Sequence, residues 1–143
     1  MNVASILKGK GADIITVKAD DAISVVADLL SEHRIGAVLV MDAAKDVQGV
    51  ISERDIVRGL ASSGTGCLKM KASELMTSNV ISCAPSDTID QVMSLMTDKR
   101  IRHLPVMEGG ALKGFISIGD VVKRRMDEVE REAAAMRDYI ATG

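Results

Sequence analysis

Residues 13–42 fall on residues 79–108 at an offset of 66, and residues 47–60 on residues 112–125 at an offset of 65. Asp13-Ile14-Ile15-Thr16-Val17 aligns with Asn79-Val80-Ile81-Ser82-Cys83. The string from His33 to Met41 aligns with that from Lys99 to Met107, and Gly49-Val50-Ile51-Ser52-Glu53-Arg54-Asp55 with Gly114-Phe115-Ile116-Ser117-Ile118-Gly119-Asp120. A unit repeated twice in a chain of 143 residues implies two copies packed against each other. Such a pair makes a cleft about a pseudo-two-fold axis, and polar residues present in both copies become candidates to line it.

Each copy has the pattern strand, helix, strand, strand, helix. Ile14–Val17 is a short apolar run, after which Asp20 and Asp21 offer helix N-caps. Ile23, Val26, Ala27 and Leu30 then lie on one face of a helix, and Ile89, Val92, Met93 and Met96 repeat that face. Ala37–Met41 and Leu104–Met107 have the composition of buried strands. Polar turns at Asp42 to Asp46 and at Glu108-Gly109-Gly110 join them to second strands, Val47–Ile51 and Leu112–Ile116, as hairpins. Helices are expected from about Ser52 and Ser117. Short helices are expected at Ala4-Ser5-Ile6-Leu7 and Ala72-Ser73-Glu74-Leu75, with a linker at Ala61 to Gly66. The predicted class is α/β (α+β), with one repeat in 1–66, a second in 67–130 and a helical extension in 131–143.

The last helix is long. Val122, Met126, Val129, Ala133, Met136 and Ile140 alternate spacings of 4 and 3, an a/d seam that suits either packing on its own domain or contact with a second copy.

Composition narrows the function. With 47% hydrophobic residues the chain can build a core, but no apolar run nears the ~18–20 residues that span a bilayer. The start, Met1-Asn2-Val3-Ala4-Ser5, lacks a signal pattern, so a soluble, cytoplasmic protein without membrane contact is expected. Cys67 and Cys83 are too few for a disulfide framework. A formal charge of −2, one Phe, one Tyr and no Trp argue against nucleic acid as a partner, in charge and in stacking. No nucleophile–base pair or carboxylate dyad stands out, and no His/Cys cluster has metal-ligand spacing. An enzyme, a metal site and a catalytic cofactor are therefore not expected. Lys8-Gly9-Lys10-Gly11 lacks P-loop spacing.

The chemistry concentrates in Gly-apolar-Ile-Ser-x-x-Asp, present at Gly49–Asp55 and Gly114–Asp120. Ser-x-x-Asp at a helix start is a capping box, in which serine accepts from the acid's amide and the acid reaches back. The same geometry suits a ligand. A helix N-terminus favours anions, and an acid there can accept both hydroxyls of a ribose. One side chain can do both.

The duplicated unit, the string Ile101-Arg102-His103-Leu104-Pro105-Val106 and the twin Gly-x-x-Ser-x-x-Asp ends resemble a tandem CBS-domain pair, or Bateman module, over about residues 4 to 130. The resemblance implies a stand-alone regulatory module, non-enzymatic, that binds an adenosine-containing ligand (AMP, ADP, ATP or NAD(H)) in the cleft between repeats. It also implies a homodimer of modules and a protein effector. An S-adenosylmethionine sensor, or an interaction domain with an empty cleft, are the alternatives. Carried onto this sequence, one site pairs Ser52, Arg54 and Asp55 with Val80, Ile81, Arg102, His103 and Leu104. The other pairs Ser117 and Asp120 with Ile14, Ile15, Gly36, Ala37 and Val38. Arginine favours phosphate, so the resemblance ranks the Asp55 site first for a phosphorylated ligand.

Overall fold

The structure, a computed structural model, describes residues 1–10 and 13–142. In chain order it contains α1 (Val3–Lys10), β1 (Thr16–Val17), α2 (Ile23–His33), β2 (Ala37–Met41), β3 (Val47–Ser52), α3 (Glu53–Ser63), a 3-10 turn (Gly64–Lys69), α4 (Ala72–Leu75), α5 (Ile89–Lys99), β4 (His103–Glu108), β5 (Ala111–Ser117) and α6 (Ile118–Thr142). These form two compact units. One is Ile14–Ile81; the other joins Met1–Asp13 to Ser82–Gly143. The units are thus drawn across the repeat boundaries: the segment ahead of the first repeat folds with the second repeat's strands, and α4 folds with the first's.

In the unit Ile14–Ile81, β1 runs parallel to β2 through the α2 crossover, and β2 pairs antiparallel with β3, in the order β1-β2-β3. Ile23, Val26 and Leu30 bury one face of α2 in a core with Val38, Val40, Ile51 and Ile56. That is the periodic face expected from sequence. Arg34 ends α2 in the left-handed region (φ 54°), and its amide donates to the carbonyls of Leu30 and Ser31. Neither Asp20 nor Asp21 caps α2, contrary to expectation. Ala22 holds the N-cap position, and the Ile23 amide donates instead to the Met70 carbonyl at 2.9 Å. Asp21 turns back to accept from the Lys18 amide at 2.8 Å. The expected linker is not a loop either. Ala61–Ser63 finish α3, and the 3-10 turn that follows buries Cys67.

The other unit repeats the register. Val17 pairs with Val40 in the first copy, and Cys83 bridges Val106, its counterpart, in parallel. Val80 and Ile81, expected in a strand, lie outside any strand, and only the single bridge at Cys83 survives. β4 and β5 form a two-stranded antiparallel pair closed by Gly109 and Gly110, both at positive φ. Ile89, Val92 and Met96 bury the inner face of α5, which Thr88 starts with a capping box to Gln91. α1 lies against β5 and α6. There the Arg124 guanidinium donates to the Ser5 carbonyl at 3.0 Å. Of α6 only Val121 is fully buried.

Candidate ligand site

Both Ser-x-x-Asp segments sit where a strand turns into a helix. β3 ends at Ser52, whose extended backbone (φ −105°, ψ 165°) makes it the N-cap of α3. The Ser52 amide donates to Asp55 Oδ2 at 2.8 Å, the Ser52 hydroxyl to the same oxygen at 3.1 Å, and the Asp55 amide to Ser52 Oγ at 3.3 Å. At the start of α6 the Ser117 amide donates to Asp120 Oδ2 at 2.8 Å and the Asp120 amide to Ser117 Oγ at 3.2 Å. The capping boxes expected from sequence are both formed. Each satisfies two otherwise orphaned amides and is worth about 1 kcal/mol to its helix.

The neighbouring strand locks onto each cap in the same way. The Glu53 amide donates to the Gly36 carbonyl at 2.9 Å, and the Ile118 amide to the Arg102 carbonyl at 2.8 Å. Ala37 is paired with Ser52 and Val38 with Ile51; His103 is paired with Ser117 and Leu104 with Ile116. Within each unit, therefore, Ala37 and Val38, or His103 and Leu104, run alongside the strand end that carries that unit's own cap serine. Ala37, Val38 and Leu104 are buried there; Arg102 is exposed. Ile14 and Ile15 lead into β1 and are half-buried. A groove of about 480 Å³ lies between α2 and α3, bounded by Leu30, Arg34, Ile35, Gly36, Ile56 and Val57; neither Ser52 nor Asp55 lines it.

The motif glycines have a packing reason. A Cβ on Gly49 would stand 2.6 Å from Met76 Sδ and 2.9 Å from the Thr77 carbonyl oxygen, and one on Gly114 would strike Leu7. Each glycine lets the segment ahead of a repeat lie directly on a strand.

The two acids differ in electrostatics. Lys10 Nζ stands 2.6 Å from Asp120 Oδ2 and donates to the Phe115 carbonyl at 2.7 Å. Burial disfavours the Asp120 anion, but Lys10 and the Ser117 hydrogen bonds outweigh it and hold the carboxyl below the usual range. No such ion pair forms at Asp55 among the described residues. His103 lies nearby, its ring centroid 5.6 Å from that of Phe115. Burial, then the charges of Arg102 and Lys10, push its pKa from 6.5 down to about 4, so it is a neutral imidazole at pH 7. The Cys83 thiol is pushed up to about 12 by burial and Asp87, which leaves it protonated and inert.

Lys10 is the residue that sequence reasoning passed over. It was legible only as part of a failed P-loop, and its partner is 110 residues away. Aligning Ala4-Ser5-Ile6-Leu7 with Ala72-Ser73-Glu74-Leu75 places Ser78 opposite Lys10, so the second copy offers no matching lysine.

The CBS-domain family model matches residues 10–62 and 72–127. The chain belongs to the CBS-domain family. It is similar to the CBS-domain containing protein ATU1752 from Agrobacterium tumefaciens, at 47% identity and a TM-score of 0.85 over 87% of this chain and 92% of that one. It is 32% identical to the mitochondrial CBS domain-containing protein CBSX3 of Arabidopsis thaliana, over 95% of this chain and 69% of that protein. The CBS domain pair of protein MJ0100, solved in complex with 5'-methylthioadenosine and S-adenosyl-L-methionine, matches at 26% identity and a TM-score of 0.76, over 86% and 98% of the two chains. The chain is a CBS pair of the regulatory kind. Among the described residues no helix is long and apolar enough to cross a membrane.

Proposed function

We propose that this CBS pair is a non-enzymatic, cytoplasmic sensor that binds an adenosine-containing ligand (AMP, ADP, ATP or NAD(H)) and passes its bound state to a protein effector. The observation that carries this reading is the doubled arrangement at Ser52/Asp55 and Ser117/Asp120. In each, a half-buried carboxylate is fixed at a helix N-terminus, with the cap serine beside it and a buried aliphatic strand alongside. A carboxylate so held can accept a ribose diol, and the helix end favours phosphate. Adenine is left to aliphatic side chains and backbone amides, consistent with one Phe and one Tyr in the whole chain. The ligand-contact residues implied by the family resemblance, from Ile14 to Asp120, are part of this proposal. So is self-association through the exposed stripe of α6.

A thermal melt of the purified protein against AMP, ADP, ATP, NAD, NADH and S-adenosylmethionine tests the reading. A ligand at about a hundred times its Kd adds roughly 2.7 kcal/mol, several degrees in Tm. A selective rise with one adenine nucleotide is expected. No rise with any of them, on protein free of carried-over nucleotide, would favour an interaction domain that holds no ligand. A rise with S-adenosylmethionine alone would move this chain to the second reading, which the ligands of the MJ0100 pair support.

A further inference from the structure

Asp120 is engaged by two donors of this chain. Its Oδ2 accepts from the Ser117 amide at 2.8 Å and from Lys10 Nζ at 2.6 Å. Two good hydrogen bonds use the two lone pairs of that oxygen. A vicinal diol that needs both carboxylate oxygens can bind only if Lys10 leaves. Lys10 is anchored a second time by the Phe115 carbonyl, and its charge and that of Arg102 both bear on His103. Moving the ammonium off Asp120 thus breaks its ion pair and leaves it without a contacting counter-charge, beside Arg102 and a neutral imidazole. A phosphate carried by the ligand restores that balance; a neutral nucleoside does not. Asp55 Oδ2 also accepts twice among the described residues, from the Ser52 amide at 2.8 Å and the Ser52 hydroxyl at 3.1 Å, but that hydroxyl can rotate to a ligand without moving a charge, and Ser78 stands at the position matching Lys10.

We propose that Lys10 is a built-in occupant of Asp120 that makes this carboxylate selective for phosphorylated ligands, exchanging its bond to Asp120 for one to the ligand's phosphate, while Asp55 accepts nucleoside and nucleotide alike. The inference rests on the adenosine-ligand reading above and adds to it a specificity residue. It also makes Asp120 the more phosphate-selective acid, whereas the sequence ranked Asp55 first for phosphate. Lys10 is about one-third exposed (35%) and Asp120 26%, so the exchange needs no opening of the core.

Calorimetric titration with adenosine and with AMP tests this in an Asp55→Asn background, where the remaining signal reports Asp120. With Lys10 present, AMP should bind about tenfold or more tightly than adenosine, the scale of one charge-assisted hydrogen bond. Adding Lys10→Met should strengthen adenosine and weaken AMP, so that the preference collapses. A lysine with only a structural role could weaken binding but not improve it for the neutral ligand. Lys10→Arg keeps the cation and should keep the preference, which guards against a Lys10→Met protein that folds poorly. An unchanged AMP-to-adenosine ratio in Lys10→Met would overturn the role of Lys10 and leave the sensor reading intact. So would an Asp55→Asn protein that binds neither ligand while the parent binds AMP. A parent protein that binds neither adenosine nor AMP would overturn this inference; the sensor reading falls only if ADP, ATP, NAD and NADH fail as well.

Discussion

Gly49 and Gly114 occupy equivalent places, yet the structure predicts unequal costs for filling them. At Gly49 a methyl group would meet the Thr77 carbonyl oxygen at 2.9 Å, and Thr77 is tied to Val50 by two backbone hydrogen bonds of 2.9 and 3.0 Å. Backbone held that way cannot step aside, so Gly49→Ala should cost about 1–3 kcal/mol, the range for overpacking. At Gly114 the obstacle is the end of the Leu7 side chain, which can rotate, and Gly114→Ala should cost less. Urea unfolding of both variants decides this; equal losses would contradict it. His103 makes a pH prediction. Its folded pKa of about 4 lies below the ordinary 6.5, so the unfolded chain takes up the proton first. Its contribution is complete above about pH 6.5 and is lost as the pH falls toward 4. The drop in the urea midpoint between pH 7 and pH 5 should shrink in His103→Gln, and an undiminished drop would rule out this histidine as its source. For the ligand, Asp55→Ala should weaken adenosine binding roughly ten- to a hundredfold, as the loss of a charged hydrogen-bond acceptor does, and more than Asp120→Ala, because Lys10 already occupies the second acid. The reverse order in a titration would contradict that.

At the scale of elements, the long helix α6 carries the clearest prediction. It runs for 25 residues, yet only Val121 is fully buried, and Met126, Val129, Met136, Tyr139 and Ile140 are exposed, Ile140 by 70%. A single exposed apolar side chain is ordinary; a repeated apolar seam suits contact with a second copy. If a second copy covers it, sedimentation should give a dimer for the parent protein and a monomer for Met126→Glu combined with Met136→Glu. A monomeric parent at micromolar concentration would sink this assignment. Periodicity identified α2, α5 and α6, because burial of one helical face leaves its mark every three or four residues. Caps were less legible. The boxes at Ser52 and Ser117 formed as read, since donor and acceptor are three residues apart. Asp20 and Asp21 did not cap α2, because the Met70 carbonyl, 47 positions after Ile23, satisfies that amide instead. The glycine- and serine-rich run at 61–66 resembles a linker in composition, but it is held by the burial of Cys67 just beyond it.

For the whole molecule, the two compact units make a prediction that the repeat boundaries would not. α1 belongs with Ser82–Gly143, held by Leu7 on Gly114, the Val3 amide on the Asp87 carbonyl at 2.9 Å and Lys10 on Asp120. Removing residues 1–10 should therefore raise hydrogen exchange in β4 and β5 and leave β2 and β3 protected. Faster exchange in β2 and β3 would show instead that α1 supports the repeat it precedes in sequence. The repeat, the mixed α/β class, the helix–strand–strand–helix order within each copy and the two Ser-x-x-Asp helix starts were determined by sequence alone. Each is written in local periodicity or in residues a few positions apart, where hydrogen bonds and side-chain faces follow from chain geometry. Tertiary structure decided the rest: which segment completes which unit, why the motif begins with glycine, and that Lys10 lies on Asp120 while Asp55 has no such ion pair among the described residues. Those depend on contacts between residues tens to a hundred positions apart, and the energy of such a contact leaves no periodic trace in the chain that makes it.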